Sequence, residues 1–136
     1  MKPSDKTMIH FYQQLGKLFY SIASADKEVQ KEEVAQLNKL VKKQWVPQED
    51  SINEFGDDAA YQIEIVFDWL LANEWHFRNV IPNLKNYKKE HPSIFTPQMN
   101  DLILKTAHAI EESFSGEQKL ELDLINELTD LLHQEN

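Results

Sequence analysis

The stretch LGKLFYSIASADKEVQKEEVAQLNKLV, residues 15–41, decides the fold class of this protein. On either side of a short polar turn, apolar side chains recur every three or four positions, as Leu15 and Phe19 do before the turn and Leu37 and Val41 after it. This spacing places them on one face of an α-helix. The stretch therefore predicts two amphipathic helices joined by a turn.

Helical spacing continues through the rest of the sequence, and no segment alternates polar and apolar residues over a useful length. Because strict alternation is the pattern of a half-buried strand, its absence favours an all-α fold. We predict a compact bundle of about six helices in a single domain over residues 1–136. The predicted helices are a first one ending near Ala23, a second over 31–44 stopped by Pro47, a third over 57–74, a fourth between Pro82 and Pro92, a fifth from Pro97 and a sixth after Gly116.

Three local features carry more detailed expectations. Residues 46–57 are polar and contain a glycine, so we predict a loop before the third helix. The third helix, 57–74, is apolar on most sides, Ile65 and Trp69 included, and is expected to be the central and most buried one. Gly16 interrupts the apolar face of the first helix, where the missing side chain predicts a close approach by another helix.

Composition excludes several classes of function. The absence of cysteine removes disulfide scaffolds, thiolate metal sites and cysteine nucleophiles. The phosphate-binding patterns GxxxxGK(S/T) and GxGxxG are also absent. A formal net charge of −9 argues against a nucleic-acid partner, because such binding depends on neutralising phosphates. No run approaches the ~20 apolar residues of a membrane span, so we expect no transmembrane segment and a cytoplasmic location.

The acidity is concentrated in the last quarter of the sequence. Residues 101–136 carry nine acidic and two basic side chains, hence a net charge of −7. One interpretation is a solvated helix face that keeps the protein in solution. The other is an acidic C-terminal helical face, including Glu121, Asp123 and Glu127, that docks a basic partner protein.

Asp26 is a carboxylate in an unfavourable place. It lies four residues beyond Ile22 and so shares the apolar face of the first helix, at the end where the helix dipole is negative. One explanation is local: Asp26 accepts backbone N–H groups in an Asx-type turn while Glu33 caps the second helix. The other is that Asp26 and Glu33 share a hard divalent cation such as Ca²⁺ or Mg²⁺. The residues alone leave both explanations open.

The turn also resembles a known family. Its residues match the signature Ala-Asp-Gly-x-Val-x-x-x-Glu-x-x-x-Leu of the TerB-like (tellurite-resistance) family at Ala25, Asp26, Val29, Glu33 and Leu37. The resemblance covers about 27 residues and implies a compact helical bundle of two related halves. It further implies a stress-related protein without an established enzymatic activity, in which Asp26 and Glu33 are metal ligands.

Two departures from the family pattern limit what is carried over. Lys27 stands where the family has glycine, which alters the turn and puts a positive charge beside the expected cation site. A second copy aligned by placing Glu121 against Glu33 puts Phe114 at the position of Asp26. We therefore expect two degenerate helix-turn-helix halves, with acidic ligands in the first half only.

Other chemically active side chains have plainer interpretations. His108, Glu111 and Glu112 have helical spacing that could hold a metal, but a lone histidine near acids is more often a surface group. Glu64 and Asp68, four residues apart, fit a solvent-facing stripe better than an acid–base pair. Neither set forms a catalytic constellation, and we predict that the protein is not an enzyme.

The aromatic residues Trp69, Trp75 and Phe77 cluster near the end of the third helix. Because tryptophan is seldom fully exposed, we expect them to be core residues first and a binding groove second. The sequence as a whole predicts a non-enzymatic, cytosolic TerB-like helical protein that binds a divalent cation or a partner protein. The alternative is a protein-interaction module that uses the acidic C-terminal face and holds no metal.

Overall fold

The computed structural model describes residues 5–24, 29–45, 50–73, 79–114 and 119–133. These residues form six α-helices and one short 3-10 helix, Pro92–Ile94, with no strand among them. The all-α prediction is confirmed. The helices are α1 (Asp5–Ala23), α2 (Lys31–Trp45), α3 (Asp50–Asn73), α4 (Val80–Glu90), α5 (Pro97–Phe114) and α6 (Lys119–His133).

The centre of the bundle is α1, which lies against α3, α4, α5 and α6. Its side chains Phe11, Leu15 and Phe19 are fully buried in a hydrophobic core to which all six α-helices contribute. The prediction that the third helix is the most buried one is wrong. Both helices are apolar on several sides, but α3 packs mainly against α1 and α2 and leaves one face in solvent.

The third helix is also longer than predicted. It begins at Asp50, so the predicted loop over 46–57 is wrong for residues 50–57, while residues 46–49 lie outside the described part of the chain. A single glycine costs a helix only about 1 kcal/mol relative to alanine. Gly56 therefore does not end the helix, and the apolar spacing of Ile52 and Phe55 extends the pattern of the later turns.

The close approach predicted at Gly16 is confirmed. A Cβ atom built on Gly16 would lie 2.9 Å from Cβ of Val66 and 3.5 Å from the carbonyl oxygen of Ile63. The first distance is shorter than carbon atoms in contact allow. The backbone of α1 at Gly16 thus lies directly against the Val66 side chain of α3. This close crossing fixes the position of α3 on the core.

A buried polar contact joins α2 to α5. The indole Nε1 of Trp45 donates a 3.0 Å hydrogen bond to Oγ1 of Thr106, whose hydroxyl donates to the carbonyl oxygen of Leu102 at 2.8 Å. The Trp45 ring also packs against Tyr12 and Phe19 of α1. Because a buried indole N–H needs an acceptor, this contact places Trp45 in one orientation between α1, α2 and α5.

The start of α5 follows the sequence signal at Thr96-Pro97. Oγ1 of Thr96 accepts a hydrogen bond from the backbone N–H of Met99 at 3.1 Å, which satisfies one donor of the first turn. The helix pairs α1–α2 and α5–α6 have closely similar lengths, of 19 and 15 and of 18 and 15 residues. These lengths fit two related halves, and the duplication stays a prediction.

Candidate functional site

Glu33 caps the N-terminus of α2. Its Oε1 accepts a 3.0 Å hydrogen bond from the backbone N–H of Gln30, and the carbonyl oxygen of Gln30 accepts from the N–H groups of Glu33 and Val34. The bond from Gln30 to the Glu33 carboxylate is one half of a capping box, in which a glutamate at the third helical position satisfies an otherwise unbonded donor. The negative charge also lies at the positive end of the helix dipole. The capping role expected for Glu33 is confirmed.

The predicted partner of Glu33 lies outside the described residues. Asp26 falls in the segment 25–28, together with Ala25 and Lys27, so the metal-site prediction for Asp26 and Glu33 stays a prediction. Two apolar positions of the TerB-like motif, Val29 and Leu37, are described, and both are buried. Their burial anchors the residues after the turn to the core, and Glu33 lies between these two buried positions in the sequence.

No group of three or more histidine, aspartate or glutamate side chains is placed to hold a metal ion within the described residues. His108 and Glu112 are exposed on α5, where they line an open cleft of about 560 Å³ together with Gln44, Asp101 and Lys105. The basic side chain of Lys105 lies among these acidic groups. The interpretation of His108 and Glu112 as surface residues agrees with their exposure.

The carboxylates of Glu64 and Asp68 belong to the solvent-facing side of α3, as the sequence favours. Asp68 is exposed, and Oε2 of Glu64 lies 3.4 Å from Nζ of Lys42 on α2. An exposed ion pair of this kind contributes at most about 1 kcal/mol to stability. The pair links the exposed edges of α2 and α3 and gives no acid–base arrangement.

The exposed side of α3 carries three large apolar side chains. Tyr61 is 62% exposed, Ile65 is 44% exposed and Trp69 is 49% exposed. We call these three residues the α3 apolar face. The expectation that Ile65 and Trp69 belong to the core is wrong, because the core-facing positions of α3 are occupied by Ile63 and Phe67 and their neighbours. Trp75 and Phe77 lie outside the described residues.

The acidic side chains of α6 also face solvent. Asp123, Glu127 and Asp130 are exposed and recur at helical spacing, while Ile125 and Leu128 of the same helix are buried. The position of the Glu121 side chain lies outside the described residues. The surface of this protein thus offers an acidic α6 face and the α3 apolar face as two separate features.

A scan against protein-family models, a search of curated proteins and a search of solved structures each found no match to this chain. The TerB-like resemblance therefore stays a prediction that rests on residues 25–37. Among the described residues, none of the helices combines the length and the apolar character that crossing a membrane requires.

Proposed function

We propose that this protein is a non-enzymatic, cytoplasmic, TerB-like helical protein that acts by binding a partner protein. The observation that supports this proposal is the α3 apolar face, where Tyr61, Ile65 and Trp69 are each more than two-fifths exposed. Scattered single apolar residues are normal on protein surfaces, whereas a contiguous group that includes two aromatic rings is typical of an interaction site.

The energetic reasoning is direct. Burying a large apolar side chain gains roughly 1.5–3 kcal/mol relative to leaving it exposed. The α3 apolar face leaves part of that gain unused in this chain, and a partner that covers the face would recover it. Tryptophan and tyrosine are also the residue types that most often dominate the binding energy of protein interfaces.

Affinity capture with a matched pair of variants tests this proposal. The first variant, Tyr61→Ser/Ile65→Ser/Trp69→Ser, removes the α3 apolar face, and the second, Asp123→Asn/Glu127→Gln/Asp130→Asn, neutralises the acidic α6 face. We expect proteins captured by the wild type to be lost from the first variant and retained by the second. The reverse pattern would support docking on the acidic α6 face instead. Circular dichroism and urea unfolding check that both variants are folded.

A divalent cation at Asp26 and Glu33 is the second candidate function. It is supported by the match of residues 25–37 to the TerB-like motif, in which Asp26 and Glu33 stand at the acidic positions. Titration calorimetry with Ca²⁺, Mg²⁺, Mn²⁺ and Zn²⁺ tests it, with Asp26→Asn and Glu33→Gln as variants. Glutamine at position 33 keeps an acceptor for the cap but loses the charge. Binding that is absent, or unchanged in both variants, would remove this candidate.

A further inference from the structure

Helix α3 is acidic in sequence, and its exposed side carries Asp68 beside the α3 apolar face. It contains six aspartate or glutamate residues and no lysine, arginine or histidine. Glu64 is paired with Lys42, but Asp68 is exposed and lies three residues after Ile65 and one before Trp69. A partner that covers the α3 apolar face therefore meets the carboxylate of Asp68, which favours a basic group opposite it. The acidic residues of α3 are Asp50, Glu54, Asp57, Asp58, Glu64 and Asp68.

The spacing of the α3 apolar face fits a helical ligand. Tyr61, Ile65 and Trp69 follow one another at intervals of four residues, so each lies about one turn beyond the last. With a rise of 1.5 Å per residue, the row from Tyr61 to Trp69 is about 12 Å long. An amphipathic helix that presents apolar side chains one turn apart can lay them along such a row, which is a recurring mode of peptide recognition.

The size of the face argues against a second copy of this chain as the occupant. The exposed parts of the three side chains amount to on the order of 300 Å², given that a large aromatic side chain has about 150–250 Å². An area of this size suits a single helix held by a few anchor side chains, whereas a stable interface between two folded proteins buries about 800 Å² on each partner. A symmetric pairing of two α3 helices would also bring together two helices that each carry acidic residues and no basic ones, and like charges across an interface are unfavourable.

The charge of α3 also argues against a lipid surface. Helices that lie on membranes usually carry lysine and arginine on their polar face, where these residues attract anionic lipids. Helix α3 has neither residue, and its carboxylates would be repelled by such a surface.

We propose that the α3 apolar face binds a basic amphipathic helix of a partner protein, with apolar side chains seated on Tyr61, Ile65 and Trp69 and lysine or arginine residues facing Asp68. This inference rests on the proposed function and adds the chemical class of the partner to it. The apolar contacts supply most of the affinity, and the charges select basic partners over acidic ones.

A designed peptide tests the inference without knowledge of the natural partner. The probe is a fluorescently labelled helix of about five turns, with leucine on one face and lysine on the other. Its two matched controls are a scrambled peptide of the same composition and a peptide in which glutamate replaces every lysine. Binding is measured by fluorescence anisotropy, and the bound region is mapped by hydrogen exchange.

We expect the basic amphipathic peptide to bind at least about tenfold more tightly than either control, a difference of about 1.4 kcal/mol. Trp69→Ser should weaken binding about tenfold or more, as loss of an aromatic interface residue does. The variant Asp123→Asn/Glu127→Gln/Asp130→Asn should bind like the wild type, and exchange protection should appear on α3.

Other results overturn the inference. Equal binding of the basic and scrambled peptides, or loss of binding in the α6 variant, would show that charge alone attracts the peptide. A dimer in sedimentation that dissociates in Trp69→Ser would assign the face to a second copy. Vesicle binding that Trp69→Ser abolishes would assign it to lipid. If captured proteins still depend on the α3 apolar face while the peptide does not bind, the proposed function stands and the partner class is wrong.

Discussion

The ammonium group of Lys88 donates a 2.8 Å hydrogen bond to the main-chain carbonyl of Leu131, which joins α4 to the last turn of α6. Lys88 is only 5% exposed. The last carbonyl groups of a helix accept no hydrogen bond from within the helix, and they lie at the negative end of its dipole. The side-chain amide of Asn100 reaches the next such carbonyl, at Leu132, with a distance of 3.3 Å. Two side chains from α4 and α5 thus hold the end of α6.

Replacement of Lys88 by methionine should destabilise the protein. Methionine fills a similar volume but leaves the carbonyl of Leu131 without this donor, and hydrogen bonds that involve a charged group contribute about 1.5–3 kcal/mol. We expect a loss of that size in urea unfolding, with faster hydrogen exchange in α6. The matched control is Lys89→Met at the neighbouring exposed position, which should change stability by less than about 0.5 kcal/mol. Equal effects of the two replacements would contradict a role for the Lys88–Leu131 bond.

The variant Gly16→Ala should destabilise the crossing of α1 and α3. In an open helix position this change stabilises by up to about 1 kcal/mol. Here the new Cβ would lie 2.9 Å from Cβ of Val66, so the helices must move apart. Overpacking of a core typically costs about 1–3 kcal/mol. Urea unfolding of Gly16→Ala, Val66→Gly and the double variant forms a cycle, and the double variant should recover part of the loss because Val66→Gly removes the Cβ atom that the new methyl group meets. Additive effects would mean that the two residues do not interact.

Replacement of Thr106 by valine should be costly although the two side chains have the same shape. The change removes the acceptor of the Trp45 indole N–H, and a buried donor left without an acceptor costs about 1–3 kcal/mol. Thr106→Ser keeps the hydroxyl and should retain most of this interaction. The measurement is the free energy of unfolding, together with the tryptophan fluorescence of the folded protein. A valine variant as stable as the serine variant would contradict the proposed contribution of this contact.

Stability should fall at high pH because of Tyr87. Burial, and next the negative charge of Glu90, raise the pKa of Tyr87 above its ordinary value of 10.0. The neutral hydroxyl donates a 2.6 Å hydrogen bond to the carbonyl of Thr7. Above about pH 10 the unfolded chain loses this proton while the folded protein keeps it. The contribution of the protonated Tyr87 hydroxyl to the free energy of unfolding is therefore fully present below about pH 10. It is lost as the pH rises through the pKa of Tyr87 in the folded protein.

The variant Tyr87→Phe isolates this effect. Below about pH 9 it should be less stable by about 1 kcal/mol, because one hydrogen bond is lost. The fall in its stability between about pH 9.5 and 11 should be shallower than in the wild type. Tyr61→Phe, at an exposed position, is the control and should keep the wild-type slope. A slope that is the same in all three proteins would contradict the assignment to Tyr87.

Much of the fold could be predicted because the deciding interactions are local. Helical spacing depends on residues within a few positions of one another, and the cap at Thr96 and the capping glutamate Glu33 each act over three residues. Gly16 is another local signal, since a glycine within an apolar helix face marks a place where a neighbour comes close. Such features require no knowledge of how the helices are arranged.

The arrangement of the helices could not be predicted in the same way. Trp45 and Thr106 are 61 positions apart, and no short-range pattern indicates that they meet. Apolar spacing also predicts which residues of a helix favour burial. It does not predict how many other helices will pack against that helix. Helix α1 receives four neighbours and α3 mainly two, so Ile65 and Trp69 remain exposed. The α3 apolar face follows from this difference and not from the local sequence.

At the candidate site, too, the local interaction could be predicted from the sequence and the spatial arrangement could not. The sequence identified Glu33 as a residue with either a local or a ligand role, and the hydrogen bond from Gln30 demonstrates the local one. A ligand role depends on which oxygen atoms meet at the turn, and a pattern of residue types does not determine these distances. The metal-ligand role of Asp26 remains a prediction for that reason, and it is supported by the match of Asp26 to the TerB-like motif.

The central position of α1 has a consequence for the synthesis of the protein. Helix α1 is translated before every helix that covers it, and α6 begins 96 positions after α1 ends, at residue 119 against residue 23. At roughly 5–20 residues per second, the apolar side chains of Phe11 and Leu15 wait about 5–20 seconds for the last helix that buries α1. During this interval part of the apolar surface of α1 stays open to aggregation and to chaperones. The most central helix of the finished core is therefore the first to be made and is fully covered only when the last helix is complete.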